Sequence, residues 1–276
     1  MPLSPSRWIV LTILLIAAGL SMREWSLYPD GHLHLHFLAV GQGDSALIVT
    51  PEGKSIVIDG GPDWSTLEGL GKYRPFLNRH IDLLVLSHPN LDHLLSFPEI
   101  LKRYSVGGIA LSGAENSLPR YREIFALAAK NAVPIITVSA GQTVNIEKGV
   151  NMNILWPPKP MPKGFPKNDN DQSVVLMLTY NGHRALFTGD EEHQVEETLV
   201  RSHTDLQANI LKVAHHGSRT SSSTGFLLAV HPSLAVISVG ENTYGHPRPE
   251  IVKRLEAMGA EVRRTDEDGT VEVVWK

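Results

Sequence analysis

The sequence LLVLSHPNLDH at residues 83–93 joins a short apolar run to a group of polar side chains. The run is typical of a buried strand, and the proline and asparagine that follow release the chain from it. Because residues two apart in an extended segment lie about 6.6 Å apart on one face, His88 and Asn90 can converge on one ion. Asp92 and His93 can serve a second ion. The segment therefore predicts a metal-binding loop at the end of a strand.

Histidines or carboxylates also follow four other strand-like runs. Side chains at the ends of several strands can share one edge of a layered α/β fold. A lone histidine is more often a satisfied core or surface residue, and Asp190 alone could cap a helix. The recurrence of the pattern in one chain favours a metal site over these alternatives. The further candidates are Asp59, Asp190, His215, His216 and His246.

The composition narrows the chemistry of such a site. The 276 residues carry 25 lysines and arginines against 29 aspartates and glutamates, a formal net charge of −4. This balance argues against coating nucleic acid by bulk charge, while a local basic patch stays open. Because there is no cysteine among the 276 residues, disulfides, cysteine-ligated zinc and cysteine nucleophiles are excluded. A transition-metal site must therefore consist of imidazoles and carboxylates.

The N-terminal segment differs from the rest of the chain. Residues 8–20, WIVLTILLIAAGL, are apolar and follow Arg7. A positive segment before an apolar run is the layout of an export signal, although a span usually needs about 20 apolar residues. We expect residues 1–25 to be a signal peptide or an N-terminal membrane anchor, with a buried core helix as the alternative. Residues 30–276 would then form one domain outside the cytoplasm, either released or tethered to the membrane.

The order of elements in this domain predicts an α/β fold. Strand-like runs come first in antiparallel succession and then alternate with helical stretches, in both halves of the chain. This order favours two mixed β-sheets that face each other, with helices outside. The alternating segment HLHLHF predicts one strand whose leucines face the core and whose three histidines, His32, His34 and His36, lie on a solvated face. Lys212 is also expected to be solvated.

The order of the motifs resembles the metallo-β-lactamase superfamily. SHPNLDH is similar to its His-x-His-x-Asp-His signature. The motifs FLAVGQGDSALIV, VIDGG, NDQSVVL, LFTGD, LKVAHHGS and SVGENTYGHP resemble, in the same order, the soluble hydrolase domain of ComEC-type DNA-uptake proteins. The resemblance implies an αββα sandwich of two mixed β-sheets flanked by helices, with residues 30–276 as a hydrolase domain. It also implies two divalent metal ions, Zn²⁺ or Mn²⁺, at one edge.

The resemblance assigns roles to particular positions. The ligands of the first ion would be His88, Asn90 and His215 or its neighbour His216. The ligands of the second would be Asp92, His93 and His246, with Asp190 bridging the two ions. Asn90 departs from the pattern, because its amide oxygen is a weaker ligand than the usual His or Asp and favours a harder ion such as Mn²⁺. Asp59 would orient the metal loop from behind.

The function implied is hydrolysis of phosphodiester bonds by a hydroxide held between the two ions. Asp92, Asp190 and His246 would carry the catalysis, and Ser218, Asn170 and Tyr244 would contact the substrate. The partners implied are single-stranded DNA or another phosphodiester, and a membrane DNA-uptake channel. One alternative is a hydrolase of a small ester, lactone or phosphocholine substrate. Another is a catalytically decayed component of a DNA-uptake system, with Asn90 as the sign of decay.

Overall fold

Two seven-stranded β-sheets form the centre of the protein in a computed structural model that describes residues 5–161, 166 and 168–276. The first sheet has the order β16 (Val271–Trp275), β1 (Leu33–Phe37), β2 (Ala46–Val49), β3 (Ser55–Ile58), β5 (Leu83–Leu86), β7 (Ile109–Leu111) and β8 (Ile135–Thr137). The second has the order β15 (Glu261–Arg264), β14 (Leu234–Ile237), β13 (Ile210–Lys212), β12 (His183–Phe187), β11 (Val175–Tyr180), β10 (Val150–Trp156) and β9 (Thr143–Glu147). A small separate pair joins β4 (His80–Ile81) and β6 (Ser105–Val106).

Helices cover the outer faces of both sheets. The helices on the side of the first sheet are α2 (Ser65–Tyr73), α3 (Leu91–Leu94), α4 (Phe97–Arg103) and α5 (Pro119–Lys130). Those on the side of the second are α6 (His193–Arg201), α7 (Thr224–Val230) and α8 (Pro249–Ala257). The remaining helices are α1 (Pro5–Ser26), α9 (Thr265–Asp268) and two 3₁₀ turns, Asn170–Gln172 and Ala214–Gly217.

Alternation along the strands builds three apolar layers. Leu35 and Leu176 belong to a core between the two sheets, whereas Leu47 and Met177 point to the outer layers. Successive strand residues face opposite sides, so a strand buried on both faces is apolar throughout. The result is four layers in the order helix, sheet, sheet, helix. The predicted αββα sandwich of two mixed sheets is confirmed.

Parallel strands place the carboxyl ends of several elements at one edge of the molecule. In the first sheet β3 and β5 are parallel, so Asp59 and Ser87 emerge side by side. In the second sheet β12, β13 and β14 are parallel, so the segments that begin at Thr188, Val213 and Ser238 emerge together. The two edges face each other across the inner core. Residues far apart in sequence meet there for this reason.

Helix α1 lies outside the sandwich. The stretch Trp8–Ser26 is 19 residues long, is apolar enough to cross a membrane, and is 0% buried. The alternative of a buried core helix is therefore wrong. Residues 1–4 of the predicted signal or anchor segment lie outside the described residues. The choice between signal and anchor stays a prediction.

The expectation of a solvated histidine face on β1 is wrong at His36. This residue is 6% exposed, and its ring stacks on Tyr73 with the centroids 4.2 Å apart. The alternation itself is observed, because Leu33, Leu35 and Phe37 face the core. The other face of β1 is covered locally by the end of α2, which the pattern of a single strand cannot show.

This burial makes the free energy of unfolding depend on pH. Burial lowers the pKa of His36 from 6.5 to about 4. Because the unfolded chain then binds a proton more tightly than the folded one, stability is full above pH 6.5 and falls as the pH drops towards 4. The difference corresponds to about 3 kcal/mol. Urea unfolding at pH 7 and pH 4 should show a His36→Leu variant losing about 3 kcal/mol less than the original chain over this range.

The same substitution at a neighbouring histidine is the control for this prediction. The side chain of His32 is 35% exposed, so a His32→Leu variant should keep most of the acid-dependent loss. Equal pH dependence in the His36→Leu variant and the original chain would contradict the role of His36.

Candidate metal centre

Strained backbone presents three of the candidate side chains at the edge. Asp59 follows β3 with φ 61°, and His215 and His216 follow β13 with φ 49° and 53°. Non-glycine residues rarely adopt positive φ, and such positions concentrate at functional sites. Here they turn two neighbouring histidines in different directions, since their ring planes meet at 69°.

Four side chains from three separate segments of the chain converge into one cluster. Asp92, His93, Asp190 and His216 each offer one ligand atom, and these atoms all lie within 4.8 Å of one another. Nε2 of His93 is 3.3 Å from Oδ2 of Asp190. Nε2 of His216 is 3.5 Å from the same oxygen and 3.4 Å from Oδ2 of Asp92. We call this set the four-residue cluster.

Several of the buried atoms at the cluster and beside it lack hydrogen-bond partners among the described residues. These buried atoms are Nε2 of His88, His93 and His216, and Oδ1 of Asp190. A buried polar atom without a partner costs free energy, and in native proteins such atoms are rare and have explanations such as a bound water, an ion or a catalytic role. Imidazole nitrogens and carboxylate oxygens are the donors that divalent transition metals accept. The residues present therefore fit a divalent metal ion.

The Nδ1 atoms of His216 and His88 have hydrogen-bond partners on the side away from the cluster. These contacts orient each ring so that its Nε2 atom points towards the cluster. Nδ1 of His216 lies 2.8 Å from the carbonyl oxygen of Ser238. A carbonyl only accepts, so Nδ1 carries a proton, and Nε2 is the atom left for a metal. In His88, Nδ1 is 3.0 Å from the hydroxyl of Ser87. Burial lowers the pKa of His88 to about 3, so this imidazole is neutral at neutral pH.

The charges of the cluster favour a cation at its centre. Burial opposes charge on His216, but Asp190 and Asp44 outweigh it and raise the pKa of this imidazole to about 10. Burial also raises the pKa of Asp190, yet His93 and His216 hold it well below the usual range. Protons and metal ions compete for the same atoms. In the absence of metal, the carboxylates stabilise protons on these imidazoles. A bound metal ion would replace those protons.

Asp59 supports the cluster rather than joining it. Its Oδ1 accepts a hydrogen bond from the backbone of Ser87 at 2.8 Å, and its Oδ2 lies 2.9 Å from Nδ1 of His93. Burial raises the pKa of Asp59, and His93 opposes that rise. Because its oxygens are already engaged, Asp59 fixes the ring of His93 and leaves Nε2 free for the cluster.

A buried ion pair lies next to His216, on the side away from the cluster, and the sequence pattern did not predict it. Lys212 is 4% exposed and pairs with Asp44, so the expectation that it is solvated is wrong. Burial raises the pKa of Asp44, but Lys212 and His216 lower it to about 2. Oδ1 of Asp44 is 3.4 Å from Nδ1 of His216. The GQGD motif, residues 41–44, was the feature of the sequence that marked this region. Its Gly43 packs so closely against the backbone carbonyl of Asp92 that no side chain would fit there.

Two further histidines lie beside the cluster, at its open side. Nε2 of His215 is 4.0 Å from Oδ2 of Asp190, and its Nδ1 is 3.5 Å from Glu192. The ring of His246 is 5.6 Å from that of His215 and 5.8 Å from that of Tyr244, which is 65% exposed. Neither histidine belongs to the four-residue cluster. Burial lowers the pKa of His246 to about 4.

The polar residues expected to bind ion or substrate have local partners. Asn90 donates from Nδ2 to Oδ1 of Asn170 at 3.1 Å, so these two side chains bind each other. Ser218 is buried, and its hydroxyl is 3.0 Å from that of Thr220. The structure therefore brings Asn90 and Asn170 together at the end of β5, whereas the hydroxyl of Ser218 closes a turn.

The fold and this donor set define an αββα protein with a candidate metal centre at the sheet edge. Residues 38–241 match the metallo-beta-lactamase superfamily, and the chain belongs to this superfamily. Its members are generally metal-dependent hydrolases.

Among curated proteins, the chain is similar to two proteins of the ComEC type. It is 31% identical to competence protein ComA of Neisseria gonorrhoeae, over 94% of this chain and 37% of that protein. It is 29% identical to ComE operon protein 3 of Bacillus subtilis, over 91% of this chain and 34% of that protein. The chain spans about a third of the length of these relatives.

Solved structures share the fold at low identity. The metallo-beta-lactamase fold protein YhfI from Bacillus subtilis aligns with a TM-score of 0.61 and 12% identity, covering 88% of this chain and 99% of that chain. Zn²⁺-bound PqqB from Methylobacterium extorquens aligns with a TM-score of 0.61 and 14% identity, covering 87% and 99%. These likenesses support the architecture alone.

Proposed function

We propose that this chain is a metal-dependent phosphodiesterase that cleaves single-stranded DNA. The observation that carries the proposal is the four-residue cluster, in which Nε2 of His93, Nε2 of His216 and Oδ1 of Asp190 are buried without hydrogen-bond partners. The similarity to competence protein ComA supports DNA as the polymer. A local ion can bind one phosphate without the broad basic surface that a net charge of −4 argues against.

The cluster would hold one ion through Asp92, His93, Asp190 and His216. Nε2 of His88 and the amide oxygen of Asn90 would give a weaker second position, because an amide is a poorer ligand than a carboxylate. This arrangement differs from the set implied by the resemblance, which gives His216 or His215 to the first ion, His246 to the second, and Asp190 to both. Here His216 and Asp190 join Asp92 and His93 at the stronger position, and His246 is left out. A divalent ion bound there supplies Lewis acidity and lowers the pKa of water.

The remaining residues would bind and orient the substrate. His246 has a pKa of about 4, so it is neutral at neutral pH and can donate or accept a hydrogen bond at the cleft. Tyr244 presents an exposed ring on the same side, where an unstacked base can pack against it. Such packing favours a single strand over a duplex, because the bases of a duplex are already stacked.

Two adjacent histidines allow a matched test. We expect His216→Asn to lower metal affinity by about 100-fold or more and to abolish cleavage of single-stranded DNA, because it removes a ligand. His215→Asn should keep the metal and lose no more than about tenfold in rate. Metal content by mass spectrometry and cleavage of a labelled oligonucleotide, with and without chelator, measure both effects.

The same assay separates the competing functions. The purified chain is loaded with Mn²⁺ or Zn²⁺ and given single-stranded DNA, duplex DNA, a lactone, a β-lactam and a phosphocholine ester. Chelator-sensitive cleavage of a small ester without cleavage of DNA would replace the proposal by a small-ester hydrolase. Less than one bound ion per chain and no activity would indicate a decayed component of an uptake system.

A further inference from the structure

An apolar groove lies where helix α1 meets the globular domain. We define the junction groove by Leu20, Trp25 and Tyr28 on the helix side and by Phe76 and Leu77 on the domain side. It has a volume of about 590 Å³. Trp25 is 83% exposed and Leu77 is 79% exposed. Several large apolar side chains exposed together indicate a contact surface, unlike scattered single ones.

We propose that the junction groove lies in the headgroup region of a phospholipid bilayer and seats the hydrolase domain on the membrane. The argument starts from α1. At 1.5 Å per residue, the 19 residues of Trp8–Ser26 extend about 28 Å, close to the hydrocarbon thickness of about 30 Å. A helix of this length that spans the bilayer places Trp25 at the boundary between hydrocarbon and headgroups. Tryptophan and tyrosine are enriched at that depth.

The domain side of the groove must lie at the same depth in the bilayer as Trp25, because hydrogen bonds connect the end of α1 to the domain. Arg23 donates hydrogen bonds to the backbone carbonyls of Gly71, at 3.0 Å, and Lys72, at 3.2 Å. Glu24 accepts one from the backbone N–H of Phe76. These contacts hold the end of α2 and the segment after it against the last turn of α1. Phe76 and Leu77 therefore enter the interface when α1 is inserted.

The charges around the groove complement anionic lipid headgroups. The guanidinium of Arg79 lies 4.9 Å from the ring centroid of Phe76. Arg23 and the exposed Lys72 add two further cations, while Glu24 at the groove and Glu272 near Lys72 carry carboxylates. Basic side chains next to a span attract anionic lipids. An apolar floor with a basic rim suits a lipid surface.

Contact of the junction groove with the bilayer would also set the distance between the candidate metal centre and the membrane surface. Helix α2 runs from the segment after Asp59 to the groove, and its nine residues extend about 14 Å. The candidate metal centre would therefore stay close to the bilayer surface, where a DNA strand delivered across the membrane emerges. This consequence rests on the proposed function, whereas the seating itself does not.

The absence of cysteine from the chain permits a direct test. Single cysteines are introduced as Leu77→Cys in the groove, Leu14→Cys in α1 and Leu228→Cys on α7, all at exposed positions. The full chain is labelled with a nitroxide and reconstituted into phosphatidylglycerol–phosphatidylcholine liposomes. Collision of each label with oxygen and with a water-soluble nickel complex is measured by electron paramagnetic resonance.

We expect the label at position 77 to collide several-fold less with the nickel complex than the label at position 228, and the label at position 14 to be the most protected. Equal nickel collision at 77 and 228 with protection at 14 would overturn the groove contact although α1 is inserted. Nickel access at all three would overturn the insertion as well. Spin–spin broadening at 77 that disappears on dilution with unlabelled chain would assign the groove to a second copy instead. None of these outcomes depends on DNA cleavage.

Discussion

Asp190→Asn is expected to reduce the rate of DNA cleavage by about 10³-fold or more and to lower bound metal to less than one ion per chain. The substitution keeps the shape of the side chain and removes its charge. Asp190 is 2% exposed, and its Oδ2 lies within 3.5 Å of Nε2 of both His93 and His216. The loss of several kcal/mol of charge stabilisation corresponds to this change in rate, since about 1.4 kcal/mol is tenfold. Oligonucleotide cleavage under single-turnover conditions and metal analysis are the measurements.

The control for Asp190 is the same change at a surface carboxylate. Asp205 pairs with Arg184, and its side chain is 70% exposed. Asp205→Asn should leave both activity and metal content unchanged, because a surface ion pair contributes little. Cleavage by Asp190→Asn within tenfold of the original rate, with full metal content, would rule out the four-residue cluster as the metal centre.

Lys212→Met should lower the free energy of unfolding by about 3–5 kcal/mol. The methionine fills a similar volume, but the carboxylate of Asp44, which is only 4% exposed, loses its lysine partner and keeps the more distant imidazole of His216. Breaking a buried ion pair is costly because the remaining charge stays desolvated. Urea unfolding of the metal-free protein at pH 7 measures the loss.

A double variant separates the ion pair from other effects of Lys212. Asp44→Asn combined with Lys212→Met removes both charges and should recover more than half of the lost stability. Lys253→Met, at an exposed position on α8, should change stability by less than about 0.5 kcal/mol. A loss below about 1 kcal/mol in the single variant, or no recovery in the double variant, would contradict a stabilising pair.

Much of the candidate centre was predictable because its residues follow strands. The polar group from His88 to His93 stands directly after an apolar run, and Asp190 follows another. Strand ends in parallel arrangement share one edge, so the sequence could indicate which residues would meet. It could not distinguish His215 from His216. The chain turns sharply at these two residues, both of which have left-handed backbone conformation. As a result the side chain of His216 faces Asp92 in the cluster, whereas that of His215 faces Glu192.

The supporting contacts were less predictable. Asp44 lies in the loop before β2 of the first sheet, and Lys212 ends β13 of the second, 168 residues (212 − 44) further along the chain. The local sequence around either residue therefore does not predict its pairing with the other. Lysine is almost always exposed, and only a buried carboxylate reverses that preference. His36 shows the same limit, since a strand pattern predicts which residues share a face but not what covers that face.

The sequence by itself determined the layered α/β architecture, the exclusion of thiol chemistry and the short list of candidate metal ligands. Each of these depends on residue type and local spacing, which periodicity and composition express directly. The tertiary structure alone decided which histidine joins Asp92, His93 and Asp190, which lysine is buried, and where α1 meets the domain. These outcomes depend on contacts between segments distant in the chain, and local sequence carries no record of such distances.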